Sequence, residues 1–252
     1  MPSKILEAMI ITENIKMADV ILHNHHLLSV ISRFGIQLGF GDKTVKTVCE
    51  EYHVNLDFFL EIINAFNDPD FYPQHNLEKF PLKLIIDFLY KAHAFYLEHK
   101  IPELSAMIEK LVSNSPKDQQ NTMQLIQSFF DEYQKQLREH IEREENLVYP
   151  YIMNLEDYIL GKNQSAKNYT DLNAYQIEDY AEEHDNIEER LFELKNILIK
   201  YLPPQPDYIL CYKILGQLAH LEDDMNKHSD MENKVLVPRV QMMEQEFKKI
   251  ER

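Results

Sequence analysis

The sequence predicts an all-α protein: an up-down four-helix bundle preceded by a small helical domain. Three observations lead there. Apolar residues recur at helical spacing along four long stretches, no stretch sustains the alternation of a β-strand, and the stretches are separated by short breaks rich in Pro, Gly, Asn or Ser. With 252 residues the chain is long enough to bury a substantial core, and short connections make consecutive long helices antiparallel neighbours.

The elements follow in order. Ala18 to Phe34 carries Val20, Ile21, Leu27, Leu28 and Ile31 at helical spacing and reads as one helix. Gly35, Gly39 and Gly41, three of only 5 glycines, mark a turn after it. Thr44 to Tyr52 and Leu56 to Phe66 are two more short helices, the second entered through Asn55, a good N-cap. Residues 1–68 are therefore expected to form the small domain. Pro69, Pro73, Pro81 and their polar neighbours make 69–80 a linker, and 81–252 the bundle. Its first helix spans Leu82 to Val112 and its second Lys117 to Tyr158. A polar loop from Gly161 to Asn173 leads to the third, which stops before Pro203-Pro204-Gln205-Pro206. The fourth starts after Asp207, a plausible cap.

Composition excludes several classes. Lys plus Arg number 26 against 42 Asp plus Glu, a formal net charge of −16, which disfavours nucleic acid and anionic lipid as partners. Even the most apolar stretch, Leu82 to Tyr90, is interrupted by Lys83 and Asp87, so no membrane span is expected. The first residues, with Lys4, Glu7 and Glu13, match a signal peptide poorly. Cys49 and Cys211 cannot supply a disulfide framework or a thiolate zinc site. A reducing, cytoplasmic setting fits best.

The 11 histidines are the unusual feature. His140 to Pro150 and His228 to Pro238 both read His-x3-Glu-x5-Pro, giving the pairs His140/Glu144 and His228/Glu232. Each is preceded by a further helical histidine, His93 and His184 respectively, so the bundle parses as two similar hairpins. Four residues at ~100° each come round to within about 40°, stacking imidazole and carboxylate on one helix face. Tyr133, Leu137 and Leu147 around His140, and Leu221, Met225 and Val235 around His228, make that face the apolar one. His93 shares a stripe with Ile86, Leu89 and Leu97, and His184 with Ile177, Ala181, Ile187 and Leu191. A lone histidine on such a stripe is commonly a hydrogen-bonded core residue, and a lone His-x3-Glu a surface pair. The repetition argues otherwise. Burying two carboxylates and four imidazoles is costly without compensation, and a bound cation supplies it. Mixed nitrogen and oxygen donors suit iron, manganese or zinc, and two carboxylates suffice to bridge a pair of metals, so a di-metal centre with open positions is expected. His23, His25, His26, His53, His75 and His99 are expected on polar faces or in the linker. His220, two turns before His228, is a weaker candidate for a supporting contact. Ferritin-like sites need Glu-x-x-His on bundle helices, and the one such spacing, Glu50 to His53, lies outside them. Tyr90, Tyr133, Tyr149, Tyr151 and Tyr180 lie near the ligand helices, where core packing is their expected role.

These residues resemble the hemerythrin-like di-iron proteins, and among them the family for repair of iron centres, over nearly the whole chain. The likeness rests on His93 followed by Ile101-Pro102-Glu103-Leu104, on His140-x3-Glu144 with Val148-Tyr149-Pro150-Tyr151, on His184-Asp185, and on His228-x3-Glu232-Asn233. In front, Ala18-Asp19-Val20, Phe34-Gly35-Ile36 and Val48-Cys49 look like that family's short amino-terminal domain. The resemblance implies two non-haem iron ions, bridged by Glu144 and Glu232 and by an oxo group. It implies a stress-response function: helping repair iron–sulfur clusters damaged by nitric oxide or oxidants, by iron delivery or nitric oxide removal. Damaged iron–sulfur proteins and small gaseous ligands would be the partners. A second reading is a reversible binder or sensor of dioxygen or nitric oxide. Where the family commonly shows a cysteine pair in the Gly-rich turn, this chain has Gly39 and Phe40. The small domain is therefore expected to be structural or a docking module rather than a thiol centre.

Overall fold

The computed structural model describes residues 10–68, 74–162, 175–178, 180 and 187–250. Among these every regular element is helical, and the one strand-like pairing is an isolated bridge between Lys16 and Thr44. The chain divides into two compact units, Met1–Lys91 and Ala92–Arg252.

The first unit contains α1 (Met17–His23), α2 (Leu27–Arg33), α3 (Val45–Glu51), α4 (Leu56–Asn67) and the short α5 (Gln74–Leu77). The helix expected over Ala18 to Phe34 is thus two helices. Asn24 breaks it: its side-chain oxygen accepts from the His26 amide at 3.0 Å, a local turn that competes with the helical ladder. Asn55 caps α4 as expected, accepting from the Phe58 amide at 2.9 Å, and Thr44 caps α3 by accepting from Thr47 at 3.2 Å. Gly35, Gly39 and Gly41 all take positive φ, of 74°, 108° and 57°, which is why glycine serves there. Within the stretch expected as linker, residues 69–73 lie outside the described residues, and Gln74–Leu77 is helical.

An aromatic cluster fixes where this unit ends. Phe34 packs edge-on against Phe59 at 5.0 Å between ring centroids and meets Phe88 at 5.3 Å, while the buried Arg33 guanidinium lies 5.6 Å over Phe66 and 5.7 Å over Phe88. Phe88 belongs to α6 (Leu82–Phe95), so the unit extends to Lys91, past the boundary at 81 that composition suggested. Buried Asn64 ties down the residues before α1. Its oxygen accepts from the Ile11 amide at 2.7 Å, and its nitrogen donates to the Ile11 carbonyl at 2.9 Å and the Leu60 carbonyl at 2.8 Å. Asn64→Ala should cost about 2 to 3 kcal/mol by leaving both backbone groups of Ile11 buried and unmatched. Urea unfolding of this variant checks it, and an unchanged midpoint would refute the clamp.

The second unit is built on long helices: α7 (Ile101–Ser113), α8 (Gln120–Arg143), α9 (Tyr149–Ile159), α10 (Ile187–Tyr201), α11 (Tyr208–Met231) and α12 (Val237–Ile250). Asp207 caps α11 as expected, accepting from the Leu210 amide at 3.0 Å. Helix α7 packs on α8 and α11, α10 packs on the same two, and α9 packs on α12. Leu104, Ile108, Phe130, Tyr133, Leu191 and Leu218 are among the side chains that fill the space between them.

Among the described residues, three joints in these helices are π-helical. Tyr96–Lys100, Glu144–Val148 and Glu232–Leu236 are wider π-turns, each closed by an amide donating five residues back: Ile101 to Tyr96, Tyr149 to Glu144 and Val237 to Glu232. Each is followed two residues later by proline, at Pro102, Pro150 and Pro238. A proline has no N–H and its ring presses on the carbonyl four residues back, so a turn that loosens the ladder just before it relieves both problems. The wider turn also carries one extra residue. Leu147, expected on the buried stripe, is 44% exposed, and Val148 is buried in its place.

Candidate metal centre

Two of the three π-turns open on the glutamates of the repeated motif, Glu144 and Glu232. Both carboxylates are fully buried, as are His93 and, nearly so, His228. These four side chains bring one donor atom each to within 4.8 Å of one another, and they form the one such histidine and carboxylate group among the described residues. His93 Nε2 lies 3.2 Å from His228 Nε2 and 3.1 Å from Glu144 Oε2, and His228 Nε2 is 3.3 Å from Glu232 Oε1. Metal bonds of about 2.1 Å at octahedral or tetrahedral angles set neighbouring donor atoms about 3.0 to 3.4 Å apart, so this spacing fits a coordination shell. Among the described residues, His228 Nδ1 is buried with no hydrogen-bond partner. Two histidine nitrogens facing each other beside two buried carboxylates form a group of four donors that a cation suits.

Of the six residues singled out by the motif, His93, Glu144, His228 and Glu232 therefore converge. His140 joins through Glu144, with Nε2 3.0 Å from Oε1, but its side chain is 20% exposed. His184 lies outside the described residues. His23, His25, His26, His53, His99 and His220 are exposed.

Several contacts were not legible from spacing. Glu145 Oε1 lies 3.0 Å from His93 Nδ1, so the far nitrogen of that imidazole is held by a carboxylate while the near one faces the centre. Helix periodicity alone turns Glu145 away from the Glu144 face, and its partner sits on another helix. Tyr149 and Tyr180 place their hydroxyls on Glu232 and Glu144, both at 2.7 Å. Tyr96, buried, donates to Asp224 at 2.6 Å and meets the His228 ring edge-on at 5.8 Å. One signal for the first helix was available: His93 precedes Pro102 much as His140 and His228 precede Pro150 and Pro238.

Burial is the largest single influence on His93 and lowers its affinity for a proton. Hydrogen bonds to Glu144 and Glu145, with the charges of Glu144 and Glu232, together outweigh it and push the imidazole up to about 9. Burial first, then the neighbouring carboxylates, raise Tyr149 and Tyr180 well above the ordinary phenol value, so both remain hydroxyl donors. Both cysteines are free and buried. Burial pushes the Cys49 thiol up to about 12, which leaves no reactive thiolate in the small domain. No helix among the described residues is long and apolar enough to cross a membrane. Compared with known proteins, the chain matches no family model and no curated protein.

Proposed function

We propose that this is a non-haem di-iron protein, with its long helices forming an up-down, hemerythrin-like four-helix bundle, and that it helps repair iron–sulfur clusters damaged by nitric oxide or oxidants. The observation that carries it is the convergence of His93, Glu144, His228 and Glu232 in a buried group. Support for the bundle comes from the packing of α7 and α10 each against both α8 and α11. Iron and repair draw on the motif resemblance, in which His140 and His184 complete the ligand set.

Bound iron would supply a redox-active centre with positions open to nitric oxide and a store of metal that can be handed on. The chain's own residues do the rest. Glu144 and Glu232 each offer two oxygens within the buried group. Glu145 orients His93. Core side chains such as Tyr133, Leu137 and Leu221 keep bulk water from the helices on either side. Free, buried cysteines accord with action in the cytoplasm.

The test is to give iron-loaded protein to an iron–sulfur enzyme inactivated by nitric oxide. Recovery of that enzyme's activity, absent with the metal-free chain, is the expected result. Reversible uptake of nitric oxide or dioxygen with no recovery would favour the carrier or sensor reading, and neither effect would contradict both.

A further inference from the structure

Each carboxylate of the centre receives a tyrosine hydroxyl from outside its own motif. Tyr149, at the start of α9, donates to Glu232, which belongs to the other repeat. Tyr180 donates to Glu144. In both cases the accepting atom is Oε1, the same oxygen that lies near the histidine of its own helix, 3.0 Å from His140 and 3.3 Å from His228. Tyr149 is fully buried, its ring stacked on that of His93 at 5.7 Å and 10°, with its hydroxyl 3.4 Å from His93 Nε2. Tyr180 is 2% exposed.

Packing alone does not account for the hydroxyls. Phenylalanine would fill either position without a polar group to satisfy. Tyr133 makes the contrast: it is equally buried, but its hydroxyl meets the weak acceptor Met225 Sδ at 3.1 Å. A carboxylate turns freely about its last bond until one oxygen is held, and a metal ligand gains from that restraint.

We propose that Tyr149 and Tyr180 are positioning residues of the metal centre, each donating to one oxygen of a ligand carboxylate and so fixing how that carboxylate is turned in the site. The assignment rests on the metal-binding reading above. It gives the two repeats a reciprocal lock, since Tyr149 follows the π-turn that Glu144 opens yet steadies Glu232.

The experiment compares Tyr149→Phe, Tyr180→Phe and the control Tyr133→Phe in the full chain. Ferrous iron affinity is measured by chelator competition, together with the ligand-field spectrum of the cobalt(II)-loaded protein. Loss of an outer hydrogen bond to a ligand typically lowers metal affinity about 10- to 100-fold. That loss, with an altered cobalt spectrum, is expected for Tyr149→Phe and Tyr180→Phe, and neither for Tyr133→Phe. Wild-type affinity and spectrum in both variants, or effects matched by the control, would overturn the proposal. A tyrosinate-to-iron band in the ferric wild type that vanishes in Tyr149→Phe would overturn it too, by making Tyr149 a ligand instead of a donor. If the wild-type chain retains neither iron nor cobalt, the metal reading itself fails. Equal affinities in a wild type that does bind sink only the positioning role. The two tyrosines serve different carboxylates, so either variant decides the matter should the other not fold.

Discussion

Glu144→Ala should destabilise the metal-free protein by on the order of 3 kcal/mol, the usual cost of stripping one partner from a buried ion pair, and should abolish tight metal binding. The residue is fully buried and lies at a junction. Its Oε2 is 3.1 Å from His93 Nε2, and its Oε1 takes both the Tyr180 hydroxyl at 2.7 Å and His140 Nε2 at 3.0 Å. Removing the carboxylate leaves a charged imidazole with less compensation, a buried hydroxyl without its acceptor, and a cavity between helices. Glu144→Gln separates these effects, because it keeps the volume and an acceptor oxygen but not the charge. Denaturant unfolding should rank the chains wild type, then Glu144→Gln, then Glu144→Ala, while both variants lose iron. Equal stability of Glu144→Ala and wild type would show that the carboxylate is not a structural counter-charge.

The second large effect is a pH dependence of the metal-free chain. His93 holds its proton up to about 9 in the folded protein, against an ordinary imidazole value of 6.5. The folded state therefore binds this proton more tightly than the unfolded chain. Its contribution to stability is complete below 6.5 and is lost as pH rises through about 9. It amounts to about 3 kcal/mol, because each tenfold gain in proton affinity is worth ~1.4 kcal/mol. Unfolding free energies measured in the presence of a chelator should fall across that window, and His93→Asn should flatten the fall. A metal ion needs the same nitrogen unprotonated, so metal affinity should rise over the pH range in which metal-free stability declines. Stability that climbs from pH 6.5 to 9 would contradict the pairing of His93 with Glu144 and Glu145.

Local signals in the sequence led to much of the structure. Asn55 and Asp207 cap helices where polar residues with a free oxygen precede apolar periodicity, and that rule depends on nothing beyond the next three residues. His-x3-Glu likewise works through helix geometry alone, and it singled out Glu144, Glu232 and His228, which the fold buries together with His93. Where neighbours on other helices decide the outcome, spacing was silent. Glu145 reads as a solvent-facing residue until His93 is set opposite it. Tyr149 and Tyr180 read as packing until their hydroxyls meet carboxylates of distant segments. The π-turns are hidden for a different reason. A period of 3.6 residues carries through Leu147 without a break, and the prolines that mark the extra residue read as part of a repeat rather than as a demand on the hydrogen-bond ladder. The split at Asn24 is hidden because apolar spacing continues across it.

The most direct test of the metal centre is an anaerobic titration of the metal-stripped chain with ferrous iron, counting the iron retained after desalting and measuring the melting temperature alongside. A pair of irons held per chain, with a higher melting temperature than the stripped protein and both effects lost in Glu144→Ala, is the predicted result. No retained iron and identical melting temperatures with and without it would contradict a metal site built from His93, Glu144, His228 and Glu232.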